Sequence, residues 1–297
     1  MSRNLVRSKG KLLFVAIAVM LLCDAALWAA PARSAVVTWQ PSKLVRGSPV
    51  LFRVSASARV QAVTGTWFGH ELQFFRDGTR WYALAGIPVE TKAGIYKLEL
   101  SETSPAGELK VQKNVVIATA RYPRITIQVA KKFTEPNPQE LKQISADKEV
   151  KKTVLASQTP DRLWQGSFEA PVSSPVSDVF GTERVFNGEV KSRHLGLDFA
   201  APAGTPVHAI NDGTVILAQS LYFEGGFVVI DHGQGLLSLY LHLSDFKVKE
   251  GDKVKTGQLI AMSGGSGRAT GPHLHLAVRW QNVYLNPAVL LKLQLPE

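Results

Sequence analysis

The stretch Gly271-Pro272-His273-Leu274-His275-Leu276-Ala277-Val278 alternates polar and apolar side chains after its proline. Such alternation predicts a β-strand, in which residues two apart share a face. His273 and His275 then lie about 7 Å apart along one face, and the leucines point to the other. At this spacing one imidazole can bind a metal ion while the other reaches whatever the metal activates. The stretch therefore predicts a metal site with a catalytic neighbour.

The residues around this strand predict an antiparallel, mainly β domain over residues 176–290. Glycine-punctuated apolar runs read as strands, the clearest being 213–218, 226–231, 236–243 and 257–261. No strong amphipathic helix lies between them, and parallel strands would need such crossovers. A loop rich in glycine and serine, residues 263–271, directly precedes His273 and is expected to form one wall of the site.

A second motif, Arg193-His194-Leu195-Gly196-Leu197-Asp198-Phe199, places a histidine and an aspartate four residues apart. On a strand both face the same way, but a fully extended chain sets their backbones about 13 Å apart. That is too far for both to bind one small ion. Gly196 allows a bend between them, so a bend there is a requirement of the metal-site hypothesis.

A third motif lies in residues 236–243, where alternation predicts one face of four leucines. The opposite face would carry Ser238, Tyr240 and His242. The polar faces of three strands thus hold five candidate site residues: His194, Asp198, His242, His273 and His275. Two imidazoles and one carboxylate suffice for a catalytic zinc, which keeps a fourth position for water. Two histidines remain for proton transfer and charge stabilisation, so the set predicts metal-assisted amide hydrolysis. His208 and His232 are expected to be structural.

These motifs resemble, in the same order, those of the lysostaphin-type (LytM-like) zinc metallopeptidases, which cut peptidoglycan peptides. The resemblance runs from about Phe180 to Pro287. It rests on seven segments: 193–202, 204–207, 212–215, 240–243, 251–254, 257–258 and 271–275. Two departures stand out, a longer segment at 221–226 that could alter a groove wall, and Leu-Ala-Val at 276–278 where an aromatic and an acid are more usual.

The resemblance implies roles for the five residues. His194, Asp198 and His275 would bind Zn²⁺, and His242 and His273 would be catalytic, orienting or deprotonating the water and stabilising the oxyanion. Which of the two is the principal base stays open. The resemblance also implies a compact barrel-sandwich core of the duplicated-hybrid-motif kind, with the zinc in a groove between loops, and peptidoglycan peptides as substrate.

The N-terminal half is expected to contain no chemistry. Residues 36–120 read as short strands with turn signals, including Asp77-Gly78, and predict an Ig-like β-sandwich domain. Residues 121–175 form a connector, in which Asn137, Pro138 and Glu140 fit the cap, first and third positions of a helix. The charged residues of that helix are expected to form a solvated face.

The first 32 residues predict an exported protein, in the periplasm, envelope or outside the cell. Basic residues precede the apolar run Leu12 to Leu22, and Ala30-Pro31-Ala32 fits a signal-peptidase site. An uncleaved anchor is disfavoured by Asp24, and a lipidated Cys23 by the bulky residue before it, so membrane attachment requires a retained or lipidated leader. The net charge of +10 suits an anionic partner, but no nucleic-acid-binding motif is present. The sequence does not give the oligomeric state.

Two other classes of protein compete with the enzyme. A non-enzymatic, wall-binding relative of the same fold is disfavoured because all five residues are present. A biotinyl or lipoyl carrier resembles residues 212–215 and 249–258, but it would leave the histidines without a purpose.

Overall fold

Strands dominate this computed structural model, which describes residues 35–186, 188 and 190–296. About 47% of the residues lie in strands and 9% in helices, which confirms the mainly β prediction. The predicted leader, residues 1–32, lies outside the described residues. Within the part that is described, no helix is long and apolar enough to cross a membrane.

Two antiparallel sheets hold most of the N-terminal strands. The first contains, in spatial order, β1 (Val36–Gln40), β3 (Pro49–Ser55), β7 (Arg80–Gly86) and β6 (Phe75–Asp77). The second contains β2 (Leu44–Val45), which joins in parallel, β9 (Gly107–Ala118), β8 (Gly94–Ser104), β4 (Ala62–Trp67) and β5 (His70–Glu71). Trp67 joins them: its Nε1 donates to Gly86 O at 2.9 Å, and its ring meets Phe52 edge-on at 5.3 Å. An Ig-like topology for this pair stays a prediction.

The connector contains β10 (Arg124–Ile127), a 3-10 turn (Lys131–Phe133) and helix α1 (Pro138–Val154). The predicted helix start is confirmed, since Asn137 and Glu140 cap each other reciprocally and Pro138 is the first helical residue. The expectation of a wholly solvated charged face is wrong. Asp147 is buried and accepts from Tyr222 N at 2.6 Å, and Lys151 pairs with Glu224. The helix is therefore tied to the C-terminal sheet.

The C-terminal half is built on one large antiparallel sheet, as predicted. Its main path is β11 (Val176–Asp178), β14 (Leu197–Phe199), β21 (Leu274–Trp280), β18 (Leu236–Phe246), β17 (Gly225–Asp231), β16 (Gly213–Leu221) and β19 (Lys253–Val254). Beside this path lie β15 (Pro206–His208), β20 (Leu259–Ser263) and β22 (Val283–Leu285), followed by α2 (Pro287–Leu290). A small sheet joins β10 to β12 (Glu183–Phe186) and β13 (Val190–Arg193).

The large sheet has two apolar faces with different partners. One face belongs to the main core, which is continuous with the N-terminal sheets and includes Tyr240, Leu276 and Trp280. The other forms a smaller cluster of Leu217, Leu221, Phe227, Val229, Leu237, Leu239 and Ala277, and Val150 and Val154 of α1 pack against it. The candidate site lies on this second face, beside the helix.

Candidate metal centre and groove

Strand pairing brings two of the candidate ligands together. In the antiparallel register of β14 and β21, Asp198 lies directly opposite His275, which puts both side chains on one face of the sheet. His194 joins them across the predicted bend, because the chain leaves β13 before His194 and turns at Gly196 before β14 begins. Gly196 also makes room: a Cβ there would lie 2.4 Å from His275 Nε2.

Three potential ligand atoms converge at this point. His194 Nε2 lies 2.9 Å from Asp198 Oδ1 and 3.0 Å from His275 Nδ1, and His275 Nδ1 lies 2.7 Å from the same carboxylate oxygen. His194 and Asp198 are buried and His275 is half-buried. Two imidazoles and a carboxylate are the donor set of several catalytic zinc sites.

The protonation of His194 tests whether a cation fits. Its Nδ1 lies 2.8 Å from Val179 O, and a carbonyl oxygen only accepts, so Nδ1 carries the proton. In the neutral ring Nε2 then points a lone pair at the carboxylate of Asp198 and at the His275 ring. A cation between these atoms removes the repulsion. A metal-binding histidine usually donates its other ring N–H to a carbonyl or carboxylate, as His194 does to Val179 O. The residues present therefore fit a zinc ion.

An arginine holds the other oxygen of Asp198. Arg184 Nη2 contacts Asp198 Oδ2, and the same guanidinium donates through Nε to Asp178 Oδ2 at 2.9 Å. Burial would raise the pKa of Asp198, but the adjacent His194 and His275 rings outweigh it and hold that pKa far below its usual range. The carboxylate is thus ionised, with Oδ1 turned toward the two histidines.

The two remaining candidates lie beside this cluster. The His242 and His273 rings are 4.7 Å apart, and His273 Nε2 lies 3.9 Å from Asp198 Oδ2. His242 Nδ1 donates to Ser266 O and His273 Nδ1 donates to Gly271 O, each at 2.8 Å. In the neutral rings both Nε2 atoms are therefore unprotonated.

The predicted face of His242 is wrong. A β-bulge interrupts the pairing of β18 with β17 between Tyr240 and Leu243, and His242 takes a left-handed φ of 64°. The bulge turns His242 to the side of Leu239 and Leu241, whereas Ser238 and Tyr240 lie on the opposite, buried side. Leu243 correspondingly joins the main core. Simple alternation misassigns both residues because an inserted residue reverses the order of faces.

Burial also sets the charge state of His242. Removal from water, followed by the neighbouring His273 and His275 rings, lowers the pKa of His242 to about 3. The ring is consequently neutral near pH 7 and can accept a hydrogen bond through Nε2.

The glycine-serine loop forms a wall of the site, as expected. Ser266 provides the acceptor for His242, and Gly264 bridges to His273. A groove of about 620 Å³ opens along the sheet, and its lining includes His194, His242 and His275, with Phe223 and Glu224 from the longer 221–226 segment. Among the described residues, seven cationic side chains line this groove against the single carboxylate of Glu224: Lys148, Lys151, Lys152, Arg184, Arg193, Arg268 and Arg279.

The other three histidines lie elsewhere. His232 is fully buried, with Nδ1 donating to Asp212 O and Nε2 beside Ser238 Oγ, both at 2.7 Å. His208 Nδ1 lies 3.3 Å from Pro171 O, and the His70 ring packs on Trp280 at 5.2 Å. None of the three lines the groove.

Sequence reasoning missed three residues of the site. Asp178 and Arg184 orient Asp198, and Arg268 lines the groove. A signal was present for each, since two are charges in short strands near the motif and the third interrupts an otherwise uncharged loop before His273. Charge position alone does not reveal a partner, so the signal was incomplete.

Comparison with known proteins places this geometry in a family. Residues 192–287 match the model of peptidase family M23. The structure superposes on a crystal structure from Pseudomonas aeruginosa assigned to peptidase M23, with 30% identity and a TM-score of 0.65, covering 84% of this chain and 95% of that one. The chain belongs to peptidase family M23. This confirms the resemblance seen in the motifs, and zinc, the metal of this family, matches the donor set.

Curated relatives share only the C-terminal region. Peptidoglycan DD-endopeptidase ShyA of Vibrio cholerae is 51% identical over 82 residues, which are 28% of this chain and 19% of ShyA. DD-carboxypeptidase/endopeptidase Mpg of Neisseria meningitidis is 43% identical over 104 residues, 35% of this chain and 24% of Mpg. The matched part is thus no more than about a quarter of these relatives' length.

Proposed function

We propose that this M23 chain is an exported zinc metalloendopeptidase that hydrolyses peptide bonds in peptidoglycan stems or cross-links. The observation that carries the proposal is the convergence of His194 Nε2, Asp198 Oδ1 and His275 Nδ1 beside two further histidines, at the edge of an open groove. The names of ShyA and Mpg support peptidoglycan as the substrate. Export through residues 1–32 belongs to the same proposal, because peptidoglycan lies outside the cytoplasmic membrane.

In this proposal His194, Asp198 and His275 hold the zinc ion. When bound, zinc lowers the pKa of a water molecule and polarises a substrate carbonyl. Arg184 keeps the carboxylate of Asp198 in place from its far oxygen, so the ligand geometry is fixed before substrate arrives. Because His194 and Asp198 are buried and His275 is half-buried at the edge of the groove, few water molecules can compete there with the substrate.

His242 and His273 move the protons. Each offers an unprotonated Nε2, held in position by its Nδ1 hydrogen bond to a backbone carbonyl. Such a nitrogen can orient the attacking water and take its proton, and the resulting imidazolium can stabilise the oxyanion or protonate the leaving amine. The geometry is compatible with either histidine as the principal base.

The test is digestion of purified peptidoglycan by the full chain, with and without a chelator, followed by mass spectrometry of the fragments. We expect chelator-sensitive release of peptides, restored by zinc, and the fragment masses would name the bond. Asp198→Ala should release nothing and should lose bound zinc, whereas His70→Ala, which leaves the groove intact, should behave as the wild type. A folded, zinc-loaded wild type that cleaves no wall preparation would overturn the proposal.

A further inference from the structure

Arg268 differs from most other cations of the groove because its guanidinium forms neither an ion pair nor a hydrogen bond with any described residue. Lys151, Arg184 and Arg193 form ion pairs, and Arg279 donates to Asn282 Oδ1 at 2.9 Å. No acceptor among the described residues lies within hydrogen-bond distance of the Arg268 guanidinium. Lys148 is also unpaired there but is exposed to solvent. Arg279 also leaves its Nε without a partner, but its Nη atoms are used. Arg268 is therefore the partly buried cation of the groove for which none of the guanidinium donors has a partner among the described residues.

Two aromatic rings hold this guanidinium in place. It lies over Phe186 at 4.7 Å and over Phe223 at 4.8 Å, measured from Cζ to the ring centroids. Ring faces attract a cation but leave the in-plane N–H donors unused. Burial lowers the pKa of Arg268, and the nearby charge of Glu224 offsets this effect only in part.

The backbone under Arg268 is also fixed. Arg268 N donates to Phe223 O at 2.8 Å, and Ser266 Oγ accepts from Gly226 N at 2.9 Å. Gly267 lies so close to the opposing turn that a Cβ would be 2.3 Å from Gly225 N. The same loop supplies the carbonyl that holds His242, so Arg268 is two residues from a contact of the candidate catalytic centre.

We infer that Arg268 is a substrate-binding residue that receives a carboxylate of the peptide in the groove, next to the bond that is cut. A planar guanidinium suits a carboxylate because two parallel N–H donors match its two oxygens. The ring clamp and the anchored loop fix the guanidinium before binding, which reduces the entropic cost of the contact. This inference rests on the proposed function and adds a requirement to it, that the preferred substrate carries a free carboxylate beside the scissile bond.

The experiment compares a synthetic peptidoglycan-type peptide dimer in two forms, with its carboxylates free or amidated. The wild type should prefer the free form by about 10- to 100-fold in kcat/KM, mainly through KM, because a hydrogen-bonded charge pair is worth that much. Arg268→Gln should raise KM for the free form to the value for the amidated form and leave the amidated form unchanged. Arg268→Lys keeps the charge but lacks the two parallel N–H donors, so its KM for the free form should lie between those of the wild type and Arg268→Gln.

Arg76→Gln is the matched control, because Arg76 also lies over an aromatic ring, that of Trp81 at 5.5 Å, but does not line the groove. Its carboxylate preference should equal that of the wild type. Calorimetric binding of both peptides to the zinc-loaded proteins provides a readout that does not depend on turnover. If neither peptide is cut but the free form binds preferentially through Arg268, only the proposed function fails. Equal losses on both peptides in Arg268→Gln, or a retained preference, would overturn the inference.

Discussion

Two sets of polar side chains lie on opposite sides of strand β18, and they differ in how their hydrogen bonds are completed. On the buried side, Ser238 Oγ lies 2.7 Å from His232 Nε2 and 3.1 Å from the Tyr240 hydroxyl, which also accepts from Ile210 N. Each acceptor of this closed set can receive a hydrogen bond from another of its members or from the backbone. We expect no function there, because the set leaves no donor or acceptor for a ligand.

On the groove side, the converging atoms do not all satisfy one another. The lone pair of His194 Nε2 faces the carboxylate of Asp198. The Nε2 atoms of His242 and His273 form no hydrogen bond with any described residue. This open set requires a left-handed backbone conformation at His242, in the bulge. That conformation costs free energy for a residue with a side chain. The comparison shows that buried polar groups alone do not indicate a functional site. Buried acceptors that converge without enough donors do indicate one.

The largest expected effect comes from removing one histidine of the open set while leaving the three candidate metal ligands in place. His242→Ala or His273→Ala should lower peptidase turnover about 10²- to 10⁴-fold, the usual range for a lost general acid or base. Zinc content, measured by elemental analysis, should stay at the wild-type level because neither ring belongs to the converging triad. His208→Gln is the control and should retain activity. Full turnover in either alanine variant would remove that histidine from the mechanism.

The next effect tests the closed set through pH. Burial lowers the pKa of His232 from its usual 6.5 to about 4, so the unfolded chain takes up a proton at higher pH than the folded chain does. The contribution of the neutral ring to stability is complete above about pH 6.5 and is lost as pH falls toward 4, in total about 3 kcal/mol.

Urea unfolding of the wild type and of His232→Gln at pH 7.5 and pH 4.5 measures this loss. The glutamine has an amide donor and acceptor but no titrating group, so its free energy of unfolding should fall less between the two pH values. Other groups titrate equally in both proteins and cancel in the difference. Parallel losses in the two proteins would show that His232 is not the group that resists protonation.

The smallest expected effect is on zinc affinity, after loss of a side chain at the edge of the open set. Arg184→Leu removes the contact to Asp198 Oδ2 and should weaken zinc binding about 10- to 100-fold, the usual cost of losing an outer-shell partner. Competition with a chromophoric chelator measures the affinity. Arg193→Leu is the matched control, since Arg193 lies nearby but pairs with Glu183 and Glu90 rather than with a ligand. Equal zinc affinities in the two variants would show that Arg184 does not orient Asp198 for metal binding.

Much of the fold was predictable because its signals are local. Antiparallel strands follow from apolar runs separated by glycine, the helix start at Asn137 follows from its capping residues, and the hairpin at Asp77-Gly78 lies between β6 and β7 as expected. The bend at Gly196 was required by distance alone. Its second purpose, room for the His275 ring, was not predictable because it depends on a strand about 80 residues away in the sequence.

The sequence by itself determined the five candidate residues His194, Asp198, His242, His273 and His275, because their motifs occur in the order of a known family. Only the tertiary structure decided how they face one another. The bulge that turns His242, the ion pairs that fix Asp198 and the ring clamp on Arg268 each join segments distant in sequence. Alternation and capping report on neighbours along the chain, whereas these contacts depend on which strands pair and in what register.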